Sequence, residues 1–252
     1  MIGGLSPVQM LLLGAAAVGA GIINAIAGGG TLLTFPALIA MGVSPVASNA
    51  TNTLALWPGQ LSGAIAYRSH LGEERRMALF LAIPSALGGI GGSALVLALP
   101  AKSFELAVPW LIFFACALLA FQGLVKKVLS KVRGADHPAA IWFAQFAISV
   151  YGGYFGAGMG ILMLAAMGIL LASSLQHANA LKVLFSFLVN GVAAICFLLF
   201  GPVNLPAALV MAVGATVGGW AGAHLAKRLP PAAMRWVAIG VGLYAALRMI
   251  LR

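Results

Sequence analysis

Seven long apolar runs dominate this sequence and decide the solvent in which it can fold. Each is close to the roughly 20 residues that cross the hydrocarbon core of a bilayer. Lipid offers no hydrogen-bond partner to an exposed backbone N–H or C=O group, so such segments cross membranes as helices. Since 62% of the residues are hydrophobic and 7% charged, the chain is predicted to be an all-α polytopic membrane protein. The runs lie near 6–27, 77–98, 106–125, 139–157, 183–200, 205–226 and 232–251.

The basic residues predict how the chain is oriented in the membrane. The formal net charge is +10, and ten of the fourteen Lys and Arg residues lie around 68–76, 126–133 and 227–235. Cytoplasmic loops carry an excess of Lys and Arg, so we expect these three loops on the cytoplasmic side. The first apolar run has no Lys or Arg before it, unlike a secretory signal, and is expected to belong to the mature protein.

The two halves of the sequence resemble each other at one fixed offset of 130 residues. The matches recur in the same order without a gap, which indicates an internal duplication. We expect a first repeat at 1–125, a basic cytoplasmic linker at 126–138 and a second repeat at 139–252. The matched pairs include Gly28 with Gly158, Gly30 with Gly160, Asn49 with Asn179, Gly88 with Gly218, Gly92 with Gly222 and Pro100 with Pro230.

The loop charges predict that the two repeats are inverted. Each half has about five helical segments, and the third segment of the first half ends at the basic loop 68–76. Its counterpart ends at the uncharged loop 201–206, which the same rule places outside. Inverted repeats are typical of secondary transporters, with a substrate site near the midplane. Whether 6–42 and 139–172 form re-entrant hairpins or full crossings stays open.

A glycine-rich break interrupts the apolar stretch at corresponding places in both halves. Gly28, Gly29, Gly30 and Thr31 precede a segment too short for an ordinary span, and Gly156 to Gly160 do the same in the second half. Short broken segments of this kind predict a transporter's binding site, where a half-helix presents unpaired N–H groups to an anion. Close helix packing through small residues is the alternative. Packing is the favoured interpretation for Gly88, Gly89, Gly92 and their counterparts Gly218, Gly219 and Gly222.

Polar residues follow each break, and they are costly in a membrane unless paired or functional. The set contains Asn49, Thr51 and Asn52 in the first half and His177, Asn179 and Lys182 in the second. Lys182 stands well inside an apolar segment and matches Asn52, so one cation and one amide could bind a single anion. Snorkelling of Lys182 to the cytoplasmic edge, and hydrogen bonding of the amides between helices, are the alternatives.

Other chemistries have little support in the sequence. His177 and His224 stand alone without metal-ligand spacing, and Cys116 and Cys196 lie inside apolar runs as expected for small packing residues. No cofactor is expected, although His177 could handle protons. The four acidic residues lie in loops or at segment ends, so an enzyme is not expected. An anion channel or uniporter pore is the alternative to an alternating-access carrier.

Two runs resemble the sulfite exporter TauE/SafE family of membrane transporters. They are GAGIINAIAGGGTLLTFPALIAMGVSPVASNATNTLALWPG at 19–59 and, more weakly, YGGYFGAGMGILMLAAMGILLASSLQHANALKVL at 151–184. The resemblance implies transport, often export, of sulfite, thiosulfate or organosulfonates such as sulfoacetate across a bacterial cytoplasmic membrane. Carried over by position, it implies binding residues at Gly28 to Thr31, Asn49, Thr51, Asn52, Gly158, Gly160, Asn179 and Lys182. The expected partners are this anion and the lipid bilayer, without nucleic acid; a homodimer is left open.

Overall fold

The computed structural model describes residues 4–26, 29–66, 75–124, 138–170, 175–225 and 231–251, and these residues are helical without a strand among them. The all-α prediction is therefore confirmed for the described part of the chain. The principal helices are α1 (Pro7–Ile26), α2 (Thr31–Ala40), α3 (Pro45–Ala66), α4 (Arg75–Ala98), α5 (Ala101–Ala120), α6 (Pro138–Tyr154), α7 (Met159–Leu170), α8 (Leu175–Phe200), α9 (Leu205–Leu225) and α10 (Pro231–Ile250).

Within these ranges, six helices are long and apolar enough to cross a membrane, and they belong to α1, α4, α5, α8, α9 and α10. The predicted run at 139–157 contains α6, which is only 17 residues long. At about 1.5 Å per residue, the 10-residue α2 is about 15 Å long, half of a hydrocarbon core of about 30 Å. Large apolar side chains lie on the outside of the bundle, where the exposed fraction of Leu11, Trp110 and Phe200 is 67–78%. Such an apolar surface suits contact with lipid. The chain is a multi-pass membrane protein.

Three pairs of helices begin 130 residues apart. They are α3 with α8 at 45 and 175, α4 with α9 at 75 and 205, and α5 with α10 at 101 and 231. Helix α5 begins five residues before the predicted apolar run at 106–125. Pro100 precedes its first turn, where Lys102 pairs with Glu105 at 3.7 Å.

Glycines hold α1 against α9 and α4 against α6 at backbone distance. A Cβ on Gly218 would lie 2.0 Å from the carbonyl oxygen of Val18, and one on Gly222 would lie 2.8 Å from the Cα of Ile22. Because the contact positions advance together along both helices, α1 and α9 run parallel. Gly88 and Gly92 make the same kind of contact with α6. The predicted packing role is confirmed for these four glycines and for Gly89, which lies against Val189, but not for Gly219, where a Cβ would meet no atom within 4 Å.

Helices α3 and α8 cross in antiparallel directions. The hydroxyl of Thr51, near the start of α3, accepts a hydrogen bond from the backbone N–H of Asn204, just after the end of α8. Further along α3, Gln60 bonds to Asn190 at 3.1 Å, in the middle of α8. Moving forward along α3 thus means moving backward along α8. Helix α9 packs along α3 as well.

One apolar core lies between both glycine breaks and helices α5 and α10. Phe35 of α2 packs edge-on against Phe155 of the second break, with ring centroids 5.3 Å apart. Leu32, Ala157 and Cys116 belong to the same buried cluster. Cys116 is thus a packing residue, as predicted. The core brings the two broken segments together although they are far apart in the sequence.

Candidate functional site

The first glycine break is stabilised by a side chain at the end of α1. The amide oxygen Oδ1 of Asn24 accepts hydrogen bonds from the backbone N–H groups of Gly29 at 3.0 Å and Gly30 at 2.7 Å. Gly29 has φ +125°, a conformation that favours glycine. A Cβ on Gly30 would lie 2.4 Å from the carbonyl oxygen of Ala20, so α2 returns closely along α1. The N–H groups of Gly29 and Gly30, just before the half-helix, therefore already have an acceptor within the chain.

Replacing Asn24 with alanine should destabilise the break. Two backbone N–H groups would lose their acceptor, and losing a capping side chain costs about 0.5–2 kcal/mol. We expect a lower unfolding temperature for Asn24→Ala in thermal unfolding of the purified protein in detergent. Asn24→Asp keeps an acceptor of the same shape and is the control, with the smaller loss. Equal stability of Asn24→Ala and wild type would show that the cap contributes nothing.

The second break is built from two glycines and a tyrosine. Gly156 and Gly158 have φ +76° and +77°, which lets the chain turn sharply between α6 and α7. The hydroxyl of Tyr151 donates a hydrogen bond of 2.5 Å to the carbonyl oxygen of Ala157. The N–H of Gly156 donates to the carbonyl oxygen of Tyr151 at 3.1 Å. The two breaks are thus stabilised by different side chains, Asn24 in the first and Tyr151 in the second.

The polar residues at the start of α3 are buried and hydrogen-bonded within the protein. Asn49 donates from Nδ2 to the carbonyl oxygen of Tyr154 at 3.0 Å. Asn52 accepts on Oδ1 from the hydroxyl of Thr34 at 2.5 Å. We call Thr34, Asn49, Thr51, Asn52 and Asn204 the outer polar cluster; their exposure does not exceed 5%. In this conformation the cluster joins α2, α3, α6 and the α8–α9 loop by hydrogen bonds. This is the alternative in which the amides bond between helices and not to a ligand.

Lys182 lies at the other glycine break. A Cβ on Gly160, in the first turn of α7, would lie 3.7 Å from Cδ of Lys182, so the lysine side chain passes directly beside this glycine. Lys182 and Ser186 are one helical turn apart on α8. The hydroxyl of Ser186 lies 3.4 Å from the sulfur of Met163, also in α7. The structure therefore brings Lys182, Gly160 and Ser186 together at the α7–α8 contact.

The outer polar cluster and Lys182 lie on opposite sides of the α3–α8 crossing. Asn52 precedes the contact residues 57 and 60 on α3, and Lys182 precedes 187 and 190 on the antiparallel α8. Asn52 bonds to Thr34 of α2, whereas the side chain of Lys182 lies beside Gly160 of α7. The binding of one anion by both residues stays a prediction.

The remaining predicted site residues are distributed between the two breaks. Thr31 is half-buried in the first turn of α2, and His177 is half-buried in the first turn of α8. Gly28 and the side chain of Asn179 lie outside what the structure describes, as do most of the three basic loops. No group of His, Cys, Asp and Glu able to hold a metal occurs in the described ranges.

Sequence reasoning missed Asn24, Thr34 and Tyr151. Asn24 carried a signal, because an asparagine shortly before a glycine turn is a common acceptor for backbone N–H groups. Thr34 and Tyr151 carried none, since their partners Asn52 and Ala157 are defined by how the helices fold back. A shallow surface groove on α9 is lined by Ala212, Val213, Thr216 and Val217, none of which is charged.

Comparison with known proteins identifies relatives along nearly the whole chain. Residues 13–249 match the family described as sulfite exporter TauE/SafE. A "probable membrane transporter protein" of Haemophilus influenzae is 31% identical over 212 residues, covering 82% of this chain and 80% of the relative. The "probable membrane transporter protein YfcA" of Escherichia coli K12 is 30% identical, covering 87% and 81%.

A third relative, the "probable membrane transporter protein ORF9" of a Sinorhizobium species, is 26% identical and covers 92% of this chain and 88% of its own. All three relatives are named as transporters, which agrees with the expectation that the chain is not an enzyme. No solved structure matches the chain.

Proposed function

The chain belongs to the sulfite exporter TauE/SafE family of membrane transporters, and on that premise we propose that it exports a small sulfur-containing anion by alternating access. Sulfite, thiosulfate and sulfoacetate are the proposed substrates. The observation that carries the proposal is the position of Lys182 beside Gly160, where a cation inside the helix bundle meets a broken helix. Charge-assisted hydrogen bonds to oxyanions are among the strongest in proteins.

Inverted repeats are the proposed basis of alternating access. Helix α1 runs parallel to α9, and α3 runs antiparallel to its counterpart α8. Gln60 and Asn190 are equivalent positions of the two halves and bond to each other. A residue touches its own counterpart only close to an axis that exchanges the halves. These contacts support a two-fold axis through the α3–α8 crossing, with repeats at 1–125 and 139–252 joined by a linker at 126–138.

Both glycine breaks belong to the proposed binding site, with distinct roles. Gly28, Gly29, Gly30 and Thr31 are the proposed binding residues of the first break, and Asn49, Thr51 and Asn52 supply amide and hydroxyl groups. In the second half, Gly158 allows the turn and Gly160 lies beside Lys182, while His177 and Asn179 lie at the start of α8. The hairpin of α1 and α2 supports a re-entrant form for 6–42, because α2 is too short to cross.

Export needs no coupled cation on energetic grounds. A membrane potential that is negative inside favours outward movement of an anion by about 2.3 kcal/mol per charge per 100 mV. The proposed location is the bacterial cytoplasmic (inner) membrane, with the loops at 68–76, 126–133 and 227–235 in the cytoplasm. This orientation rests on the positive-inside rule; Arg75, Arg76 and Arg235 lie at the described ends of two of these loops.

Sulfur oxyanions and sulfonates should stabilise the purified protein, whereas matched carboxylates and neutral solutes should not. A ligand at 100 times its dissociation constant adds about 2.7 kcal/mol to the free energy of unfolding. For a chain of this size that corresponds to an unfolding temperature higher by about 5–10 °C. Thermal unfolding in detergent with sulfite, thiosulfate, sulfoacetate, sulfate, acetate and malonate measures this.

The same ligands should also show saturable, counterflow-competent flux in proteoliposomes. Counterflow requires a site that carries one molecule at a time, so single-channel currents in a planar bilayer would instead identify a pore. Stabilisation by neutral solutes together with indifference to every sulfur anion would overturn the proposed substrate class.

A further inference from the structure

A half-buried polar stripe runs along α8. Lys182, Ser186 and Asn190 recur every four residues, which places them on one face of the helix. The face points into the bundle and not toward lipid, because Ser186 lies against Met163 of α7 and Asn190 donates to Gln60 of α3. Polar and ionisable residues in a membrane bundle face its interior or a water-filled cavity, and partial exposure favours the cavity.

The stripe begins near the cytoplasmic end of the bundle. Ala178 and Leu181 share a buried cluster with Ala78 and Leu81, in the first two turns of α4. Helix α4 begins at Arg75, in one of the basic loops that the positive-inside rule places in the cytoplasm. Water that reaches the stripe therefore comes from the cytoplasmic side.

The equivalent face of α3 is closed. Asn52 and Leu56 are the counterparts of Lys182 and Ser186, and they are only 3% and 6% exposed. Asn52 is covered by α2 through Thr34, and the neighbouring Thr51 by the backbone of Asn204. Two faces that are equivalent in the sequence thus differ in accessibility, and this difference arises only from how the helices pack.

A dense contact separates the open face from the closed one. The indole N–H of Trp57 donates to the carbonyl oxygen of Phe187 at 3.1 Å, and the two rings stack with centroids 5.5 Å apart. A Cβ on Gly191 would lie 2.8 Å from the indole nitrogen of Trp57. Beside this stack, Gln60 and Asn190 are joined by their amides. The stacked rings and the paired amides close the contact between α3 and α8 at this level.

We propose that Trp57, Gln60, Phe187 and Asn190 form the gate of the transport route, and that this structure is the inward-open state. The Lys182 stripe is its cytoplasmic vestibule, and the outer polar cluster is the exit site, closed in this state. The inference rests on the proposed transport function and adds which side is open and which residues form the barrier. Trp57 and Phe187 are equivalent positions, as are Gln60 and Asn190, so the barrier lies on the proposed two-fold axis. It opens while the two halves exchange conformations, which lets the anion pass, and closes again in the outward-open state.

In the outward-open state the two faces should exchange their exposure. The counterpart stripe Asn52, Leu56 and Gln60 becomes accessible from outside, and Lys182 and Ser186 become buried against α7. An anion that leaves Lys182 then meets the neutral donors of the outer polar cluster. Weaker binding at an uncharged exit site favours release.

Cysteine accessibility tests the gate without knowledge of the substrate. Ser186→Cys and Leu56→Cys are placed separately in a background with Cys116→Ala and Cys196→Ala. A membrane-impermeant maleimide is added to inside-out and to right-side-out vesicles. We expect Ser186→Cys to react from the cytoplasmic side. Leu56→Cys should react at least about tenfold more slowly from either side, because a minor outward-open state is populated at 10% or less.

Labelling after denaturation in SDS shows that both cysteines are chemically competent, and size-exclusion profiles identify variants that do not fold. If Leu56→Cys does not fold, Thr51→Cys replaces it, since Thr51 is equally buried on the closed side. Equal rates at positions 186 and 56, or reaction of Ser186→Cys from the outside only, would overturn the assignment. The expected pattern without stabilisation by any sulfur anion would keep the gate and reject the proposed substrates, so the two failures are distinguishable.

Discussion

Gly218→Leu should prevent the assembly of a stable bundle, whereas Gly219→Leu, one residue further, should leave it intact. The Cβ at 218 would lie 2.0 Å from the carbonyl oxygen and 2.7 Å from the carbonyl carbon of Val18. These are backbone atoms of α1 and cannot rotate away, so α1 and α9 would have to separate. Overpacking a core costs about 1–3 kcal/mol, occasionally more, and a backbone clash belongs at the upper end. The expected result is an unfolding temperature lower by about 6–12 °C, or aggregated protein.

Gly219 is a matched control because the same substitution is made in the same turn of the same helix. A Cβ there would meet no atom within 4 Å. Thermal unfolding and size-exclusion chromatography in one detergent compare the two variants. Similar losses in both would mean that leucine at this depth is harmful in itself, and that the close approach of α1 and α9 is not what the glycine serves.

Lys182→Gln should abolish anion-dependent stabilisation and reduce transport more than any other single substitution in the proposed site. A hydrogen bond to a charged group contributes about 1.5–3 kcal/mol, so its loss weakens binding by roughly 10–150-fold. With ligand at 100 times the wild-type dissociation constant, a 50-fold weaker site adds only about 0.6 kcal/mol in place of about 2.7. Thermal unfolding with sulfite and sulfoacetate measures the difference.

Lys102→Gln is the control for the loss of one positive charge. Lys102 is exposed in the first turn of α5, where it pairs with Glu105 at 3.7 Å. Lys182→Arg keeps the charge and should retain part of the ligand response. If sulfite and sulfoacetate stabilise Lys182→Gln as much as wild type, Lys182 does not bind the anion. If Lys102→Gln loses the stabilisation equally, the loss reflects the overall charge of the protein and not a specific site.

Most of the architecture followed from local features of the sequence. Apolar runs gave the spans, and the offset of 130 residues anticipated that α4 and α9, or α5 and α10, begin at matching positions. Both breaks were predicted from glycine, and Gly156 and Gly158 do adopt positive φ. Such features depend on neighbouring residues and on the solvent. They can therefore be predicted from the sequence without knowing which helices pack together.

The site was predicted less well than the fold, because hydrogen-bond partners come from distant segments. The glycine pattern predicted the first break but not that Asn24 accepts hydrogen bonds from the N–H groups of Gly29 and Gly30. Matching Asn52 with Lys182 predicted one shared ligand, and this stays a prediction; inversion about the α3–α8 crossing places equivalent residues on opposite sides of it. Equivalence in sequence does not mean proximity in space unless a residue lies near the axis, as Gln60 and Asn190 do.

The sequence by itself determined that this protein is helical, lies in a membrane and has a break in each half, since hydropathy and glycine act locally. Only the tertiary structure decided which polar groups satisfy one another and which remain accessible. Ser186 is half-buried while its counterpart Leu56 is 6% exposed, and nothing along the chain near either residue distinguishes an open face from a closed one. That difference depends on how α2, α7 and the α3–α8 crossing pack, and packing is a property of the assembled bundle.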